Sequence, residues 1–190
     1  MVLYQLFRPV YYLRIRDSSK WKVDWILPTA LVPLTLFVFL LMPVRPIIFG
    51  VTGVLSQLSG LLQILPGFYI ASLAAIATFN LENMDQYLPE PTPTVRVRVS
   101  GAMVPIQLTR RRMLSFLFGY LTFLSLALFL LTIIANSTAP SLKLVLPKTL
   151  YTPTIATFIV LYGTLFWHMI AVTFFGLYQL SDRMHQPDQK

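Results

Sequence analysis

Residues 47–88, IIFGVTGVLSQLSGLLQILPGFYIASLAAIATFNLENMDQYL, hold enough apolar residues for two helical crossings of a hydrocarbon layer, or for one crossing with an extension. Thr52, Ser56, Ser59 and Gln63 recur at intervals of four, three and four, which places them on one face of a helix. The first half is therefore read as an amphipathic helix over 47–64. Residues 65–81 are more uniformly apolar and suit a crossing, with Pro66 as a start or kink.

The flanking sequence fixes the count. Of the 190 residues, 56% are hydrophobic and 12% charged, against about 25% charged in a soluble domain, so the composition argues against a soluble fold. Trp25 to Pro43, Met113 to Ala135 and Thr149 to Tyr178 contain no Asp, Glu, Lys or Arg, and each reaches the length of about 20 residues that a crossing needs. With spans at about 25–43, 65–81, 113–135 and 151–178, the arm 1–24, the loop 82–112 and the tail 182–190 share one side. That side holds twelve of the fifteen Lys and Arg residues; only Arg45, Lys143 and Lys148 lie opposite. Cytoplasmic loops collect such residues, and a fifth span would break the agreement. The expectation is an all-α polytopic membrane protein: four transmembrane helices forming a membrane domain over 25–181, a small cytoplasmic β-hairpin between helices 2 and 3, and both termini in the cytoplasm.

Aromatic residues mark the boundaries, with Trp21 and Trp25 at the first crossing, Tyr87 after the second, and Tyr151 and Tyr178 around the fourth. In the basic arm, Tyr4, Phe7, Tyr11 and Ile15 fall at helical spacing, which suits a segment lying in the interface plane. Five basic residues precede the first apolar run and no small-residue cleavage pattern follows it, so that run is expected to stay as an anchor. Cysteine is absent, which removes disulfides, thiolate nucleophiles and Cys-ligated metals.

Within the 82–112 loop, TVRVRVSGAMVPIQLTRRR (94–112) alternates valine with arginine. A two-residue turn at Ser100-Gly101 pairs Val99 with Ala102, Val97 with Val104 and Val95 with Ile106, so a hairpin over 94–109 gathers its apolar side chains on one face. Pro105 then falls opposite Arg96 and blunts the outer edge of the second strand. Thr94, Val95, Arg96, Val97, Arg98 and Val99 are left as a free edge, the candidate partner-binding site. Arg110, Arg111 and Arg112 stand before the third span and read as orientation determinants touching anionic lipid headgroups. Basic residues clustered beside apolar spans fit a lipid surface, and no direct nucleic-acid binding is expected.

His168 is the one ionisable residue well inside a span. No acid lies at its depth by sequence, so a hydrogen bond between helices is expected rather than a proton relay. His185, in the tail, reads as solvated. Thr52, Ser56, Ser59, Gly60 and Gln63 read as an oligomer interface, with pore lining as the alternative. No metal-ligand spacing, paired carboxylates, phosphate-binding loop or nucleophile elbow is present, so neither enzymatic activity nor a cofactor is expected.

On this layout, and on GFYIASLAAIATFNLENMDQYLPEP (67–91) and FFGLYQLSDRMHQP (174–187), the chain resembles the KwaA family, the membrane subunits of the bacterial Kiwa anti-phage system. The resemblance implies a bacterial inner-membrane protein that senses infection at the envelope and works with a cytosolic, DNA-binding KwaB-like effector bound to the loop and tail. The sequence favours an oligomeric scaffold or sensor that recruits a soluble effector. The rival is a small channel or accessory transporter subunit, supported by the polar stripe and His168 but lacking intramembrane charges. A membrane-disrupting effector finds little specific support.

Overall fold

A computed structural model of the chain describes residues 7–15, 20–78, 82–90, 92–99 and 102–181. A 3-10 turn, Arg8–Arg14, comes first. A π-helical turn, Lys22–Ile26, leads directly into α1, Leu27–Leu41. Then come α2, Val54–Thr78; the single turn α3, Glu82–Asp85; strands β1, Thr94–Val99, and β2, Ala102–Gln107; and helices α4, Arg110–Val145, and α5, Lys148–Ser181. Lys22–Leu41, α2, α4 and α5 are each long and apolar enough to cross a membrane.

The 47–64 helix and separate 65–81 span are replaced by one helix, Val54–Thr78, that runs through Pro66. The reason is a stripe that the polar residues mask: Leu55, Leu62, Tyr69 and Ile76 stand seven residues apart and all are buried. This heptad seam packs on α4, where Leu114, Leu117, Leu121, Leu124 and Leu128 are buried in the same core cluster. Pro66 removes a single helical hydrogen bond, and packing on both sides of it holds the helix together. Residues 79–81 lie outside the described residues.

Residues 47–53 form a loop whose carbonyls satisfy the helix start. Val54 N–H donates to Ile47 O, Leu55 N–H to Ile48 O, and Ser56 and Gln57 N–H to Gly53 O. Gly50 takes φ +96, and a Cβ on Gly53 would stand 2.6 Å from Ile48 O, so both glycines are needed to close the loop.

Packing runs α2 on α4, α4 on α5 and α5 on α1, while α1 and α2 make no close approach. A hydrogen bond pins each of several helix pairs: Tyr69 hydroxyl with Thr173 Oγ1 at 2.6 Å, Thr132 Oγ1 with Tyr162 hydroxyl at 2.7 Å, and Trp167 Nε1 to Thr35 Oγ1 at 3.1 Å. Such bonds contribute about 0.6 kcal/mol each in membranes, so they set register and the apolar packing supplies most of the stability. At 36 residues, α4 is about 54 Å long at 1.5 Å per residue and overshoots a hydrocarbon core of about 30 Å. It therefore continues through Pro140 into the stretch that the 113–135 boundary leaves as loop, and only Leu146 and Pro147 separate it from α5.

Candidate functional site

The hairpin forms in the expected register. β1 pairs antiparallel with β2 as Thr94↔Gln107, Val95↔Ile106, Arg96↔Pro105, Val97↔Val104, Arg98↔Met103 and Val99↔Ala102. The Ser100-Gly101 turn itself lies outside the described residues.

An isolated hairpin is marginal, and this one rests on its own chain. Leu88 N–H donates to Leu108 O and Arg110 N–H to Gln86 O, which extends the pairing beyond β2 toward the helix start. Val95 is 1% exposed and shares a cluster with Met84, Leu88, Leu108, Tyr12 and Ile15. Val97 and Ile106 pack against that cluster from its rim, and Arg96 faces solvent. Among the described residues, no strand and no backbone hydrogen bond from another element reaches the outer edge of β1.

Helix ends buttress this platform. Thr109 caps α4 by accepting from Arg112 N–H at 3.4 Å. Arg111 forks onto Asp85, Nε to Oδ1 at 2.8 Å and Nη2 to Oδ2 at 3.0 Å, while Nη1 donates to Ile76 O at 2.7 Å. One guanidinium thus ties the end of α2 and α3 to the start of α4. Hydrogen bonding from Arg111 holds the Asp85 carboxyl below its ordinary value. Of the three arginines assigned to lipid headgroups, Arg111 spends its donors inside the chain and Arg112 is exposed.

The arm differs from the interfacial helix expected of it. Pro9 starts a 3-10 turn that carries Tyr12, Ile15 follows it in extended backbone, and both side chains are buried in protein. Tyr12 stacks on Tyr120 with ring centroids 5.1 Å apart. Its hydroxyl donates to Asp24 Oδ1 at 3.1 Å, and Lys20 Nζ lies 2.6 Å from Asp24 Oδ2 and 3.9 Å from the Tyr12 ring centre. Lys20 and Asp24, 3% and 2% exposed, form a buried ion pair one helical turn apart; they belong to the first helix rather than to the flanking arm.

Asp24 also explains His168. In an α-helix the Asp24 carbonyl would take the N–H of residue 28, which is proline and has none. The helix widens into its π turn there, and His168 Nδ1 stands 2.7 Å from that carbonyl. A carbonyl only accepts, so Nδ1 is the donor. Nε2 is buried with no partner among the described residues, between the rings of Trp25 and Tyr120. The interhelical hydrogen bond is present, and the absence of an acid at that depth is corrected: Asp24 is beside it. Lys20 four residues before Asp24 and Pro28 four after it are the local sequence signals of this cluster.

The stripe is not one continuous helical face. Thr52 precedes α2, and Ser56 turns inward, donating to Gly50 O at 2.6 Å and accepting from Asn136 Nδ2 at 3.2 Å. Ser59 donates to Ser56 O at 2.7 Å. Gly60 and Gln63 are exposed, and a Cβ on Gly60 would meet nothing within 4 Å. His185 and the rest of the tail lie outside the described residues.

Comparison of the chain with family models, with curated proteins and with solved structures finds no match in any of the three.

Proposed function

We propose that this protein is an oligomeric membrane scaffold or sensor that recruits a soluble effector to its hairpin end, in the role that the KwaA resemblance implies for anti-phage defence at a bacterial inner membrane. One observation carries the reading: an ordered hairpin whose apolar face is seated on its own chain while the outer edge of β1 carries no strand among the described residues. The hairpin's own support comes from Val95, the Arg8–Arg14 turn and the 86–88 pairing, and strand addition at its edge would draw affinity from main-chain bonds and selectivity from alternate side chains. Arg96, exposed on β1, suits an acidic or polar segment next to the added strand. Gly60 and Gln63, exposed on α2, supply a small-residue face for contact between copies. The polar residues once available for a pore are divided between internal bonds at Ser56 and Ser59 and the outward Gln63, which favours recruitment over transport.

The experiment is purification from native membranes in mild detergent with neighbours attached. A soluble protein recovered in fixed stoichiometry supports recruitment. A clean homo-oligomer that conducts ions on reconstitution overturns it in favour of the channel.

A further inference from the structure

Because α1 and α2 stay apart, a crevice opens between them with α5 as its floor. The cavity measures about 230 Å³, and its walls include Phe39 from α1, Ile48 from the following loop, Leu58 from α2, and Phe158 and Gly163 from α5. Its few polar side chains are already engaged: Trp167 Nε1 donates to Thr35 Oγ1, and the Tyr162 hydroxyl bonds Thr132. Nothing in the lining offers an unmet hydrogen bond to water or to a polar ligand, and apolar cavities of this size stay dry. The crevice is walled by helices long enough to cross a membrane, where the solvent for an apolar mouth is hydrocarbon.

Charge identifies what enters. Arg45 lies between Phe39 and Ile48, both in the crevice wall, and is exposed. The bond between Gly50 and Asn136 puts this loop at the same end as the end of α4 and the start of α5, where Lys143 and Lys148 are the other charged residues. No Asp or Glu occurs in 43–53 or 136–150, so this end is wholly cationic. A ligand with an anionic head and a hydrocarbon tail matches both parts. We infer that the crevice binds one acyl chain of an anionic phospholipid, with the lipid phosphate held at Arg45. The site lies at the end of the bundle opposite the hairpin and requires no soluble partner, so it stands or falls separately from recruitment.

The test is native mass spectrometry of the full chain released from nanodiscs containing phosphatidylglycerol and phosphatidylcholine with identical acyl chains. Wild type is expected to retain one phospholipid, enriched in phosphatidylglycerol. Gly163→Leu places a side chain toward Val32, which lies 3.7 Å from the position of a Cβ, and fills the space. It should lower retention about tenfold, or 1.4 kcal/mol in binding. Gly163→Ala, an ordinary contact, should retain lipid. Arg45→Gln should keep an adduct but lose the preference for the anionic head.

If the leucine variant does not elute as wild type, Leu58→Phe fills the crevice from the opposite wall and the same comparison decides. Undiminished lipid in the filled variant overturns the proposal. So does an intermolecular disulfide formed by Ile159→Cys in native membranes, a clean probe in a chain without cysteine, because it would place a second copy in the crevice.

Discussion

Replacing Asp24 with Asn leaves a group of the same shape that still accepts from Tyr12 but no longer carries the charge that Lys20 needs. Lys20 is 3% exposed, and its Nζ lies 2.6 Å from the carboxylate. Breaking a buried pair by neutralising one member typically costs about 3–5 kcal/mol, because the other charge stays buried. At about 2–4 °C per kcal/mol for a chain of this length, the unfolding midpoint in detergent should fall by about 6–20 °C. Lys20→Met with Asp24→Leu removes both charges in favour of apolar groups and should recover most of that loss. The damage should also be local: Tyr12 loses its charged acceptor, so trypsin should cut after Arg14 faster in Asp24→Asn than in wild type. Equal midpoints and equal cleavage for Asp24→Asn and wild type would refute the claim that the pair locks the arm to the bundle.

Four further outcomes follow from the geometry. Reporter fusions at Gln86, Ser141 and Lys190 should report cytoplasm, exterior and cytoplasm; an exterior Lys190 with a cytoplasmic N-terminus would require an odd number of crossings. Gly60→Leu meets nothing within 4 Å in its own chain, so it should leave the monomer's unfolding unchanged while lowering the oligomer population in mild detergent; an unaltered oligomer would remove this face from the interface. Arg111→Gln should release the 82–90 segment to proteolysis, because the fork onto Asp85 and Ile76 is lost. Arg111 holds the folded Asp85 carboxyl below its ordinary value of 3.8, so its contribution should be complete above that pH and vanish only as pH falls through the lower folded value; protection of 82–90 already lost at pH 5 would contradict it.

Local pattern carried the hairpin, because strand alternation and a two-residue turn allow one register that keeps Val95, Val97, Val104 and Ile106 together. The number of long apolar helices was equally open to reading from length and charge. The extent of α2 was not: the polar stripe and Pro66 drew a boundary where the seven-residue recurrence of Leu55, Leu62, Tyr69 and Ile76 runs straight through. Lys20 and Asp24 fall within the basic arm 1–24 in the sequence, where composition is blind to their burial. Their surroundings depend on Tyr12 folding back and on His168 arriving from 144 residues away, contacts that no local periodicity encodes. Of the candidate docking site, the strand and its pairing were legible, whereas its support by Leu88, Leu108 and the arm required the tertiary structure.

The central claim is that a soluble partner docks on the outer edge of β1. Arg96 and Arg98 sit opposite Pro105 and Met103, at positions whose N–H groups point away from β2 in this register. Proline at either position therefore removes an outward donor and spares the hairpin ladder. Quantitative pull-down from solubilised membranes, comparing Arg96→Pro and Arg98→Pro with Arg96→Gln and Arg98→Gln, separates edge pairing from charge. The account predicts normal membrane insertion in all four variants and loss of the partner with proline but not with glutamine. Full recovery of the partner with the proline variants, or equal losses with glutamine, would contradict it.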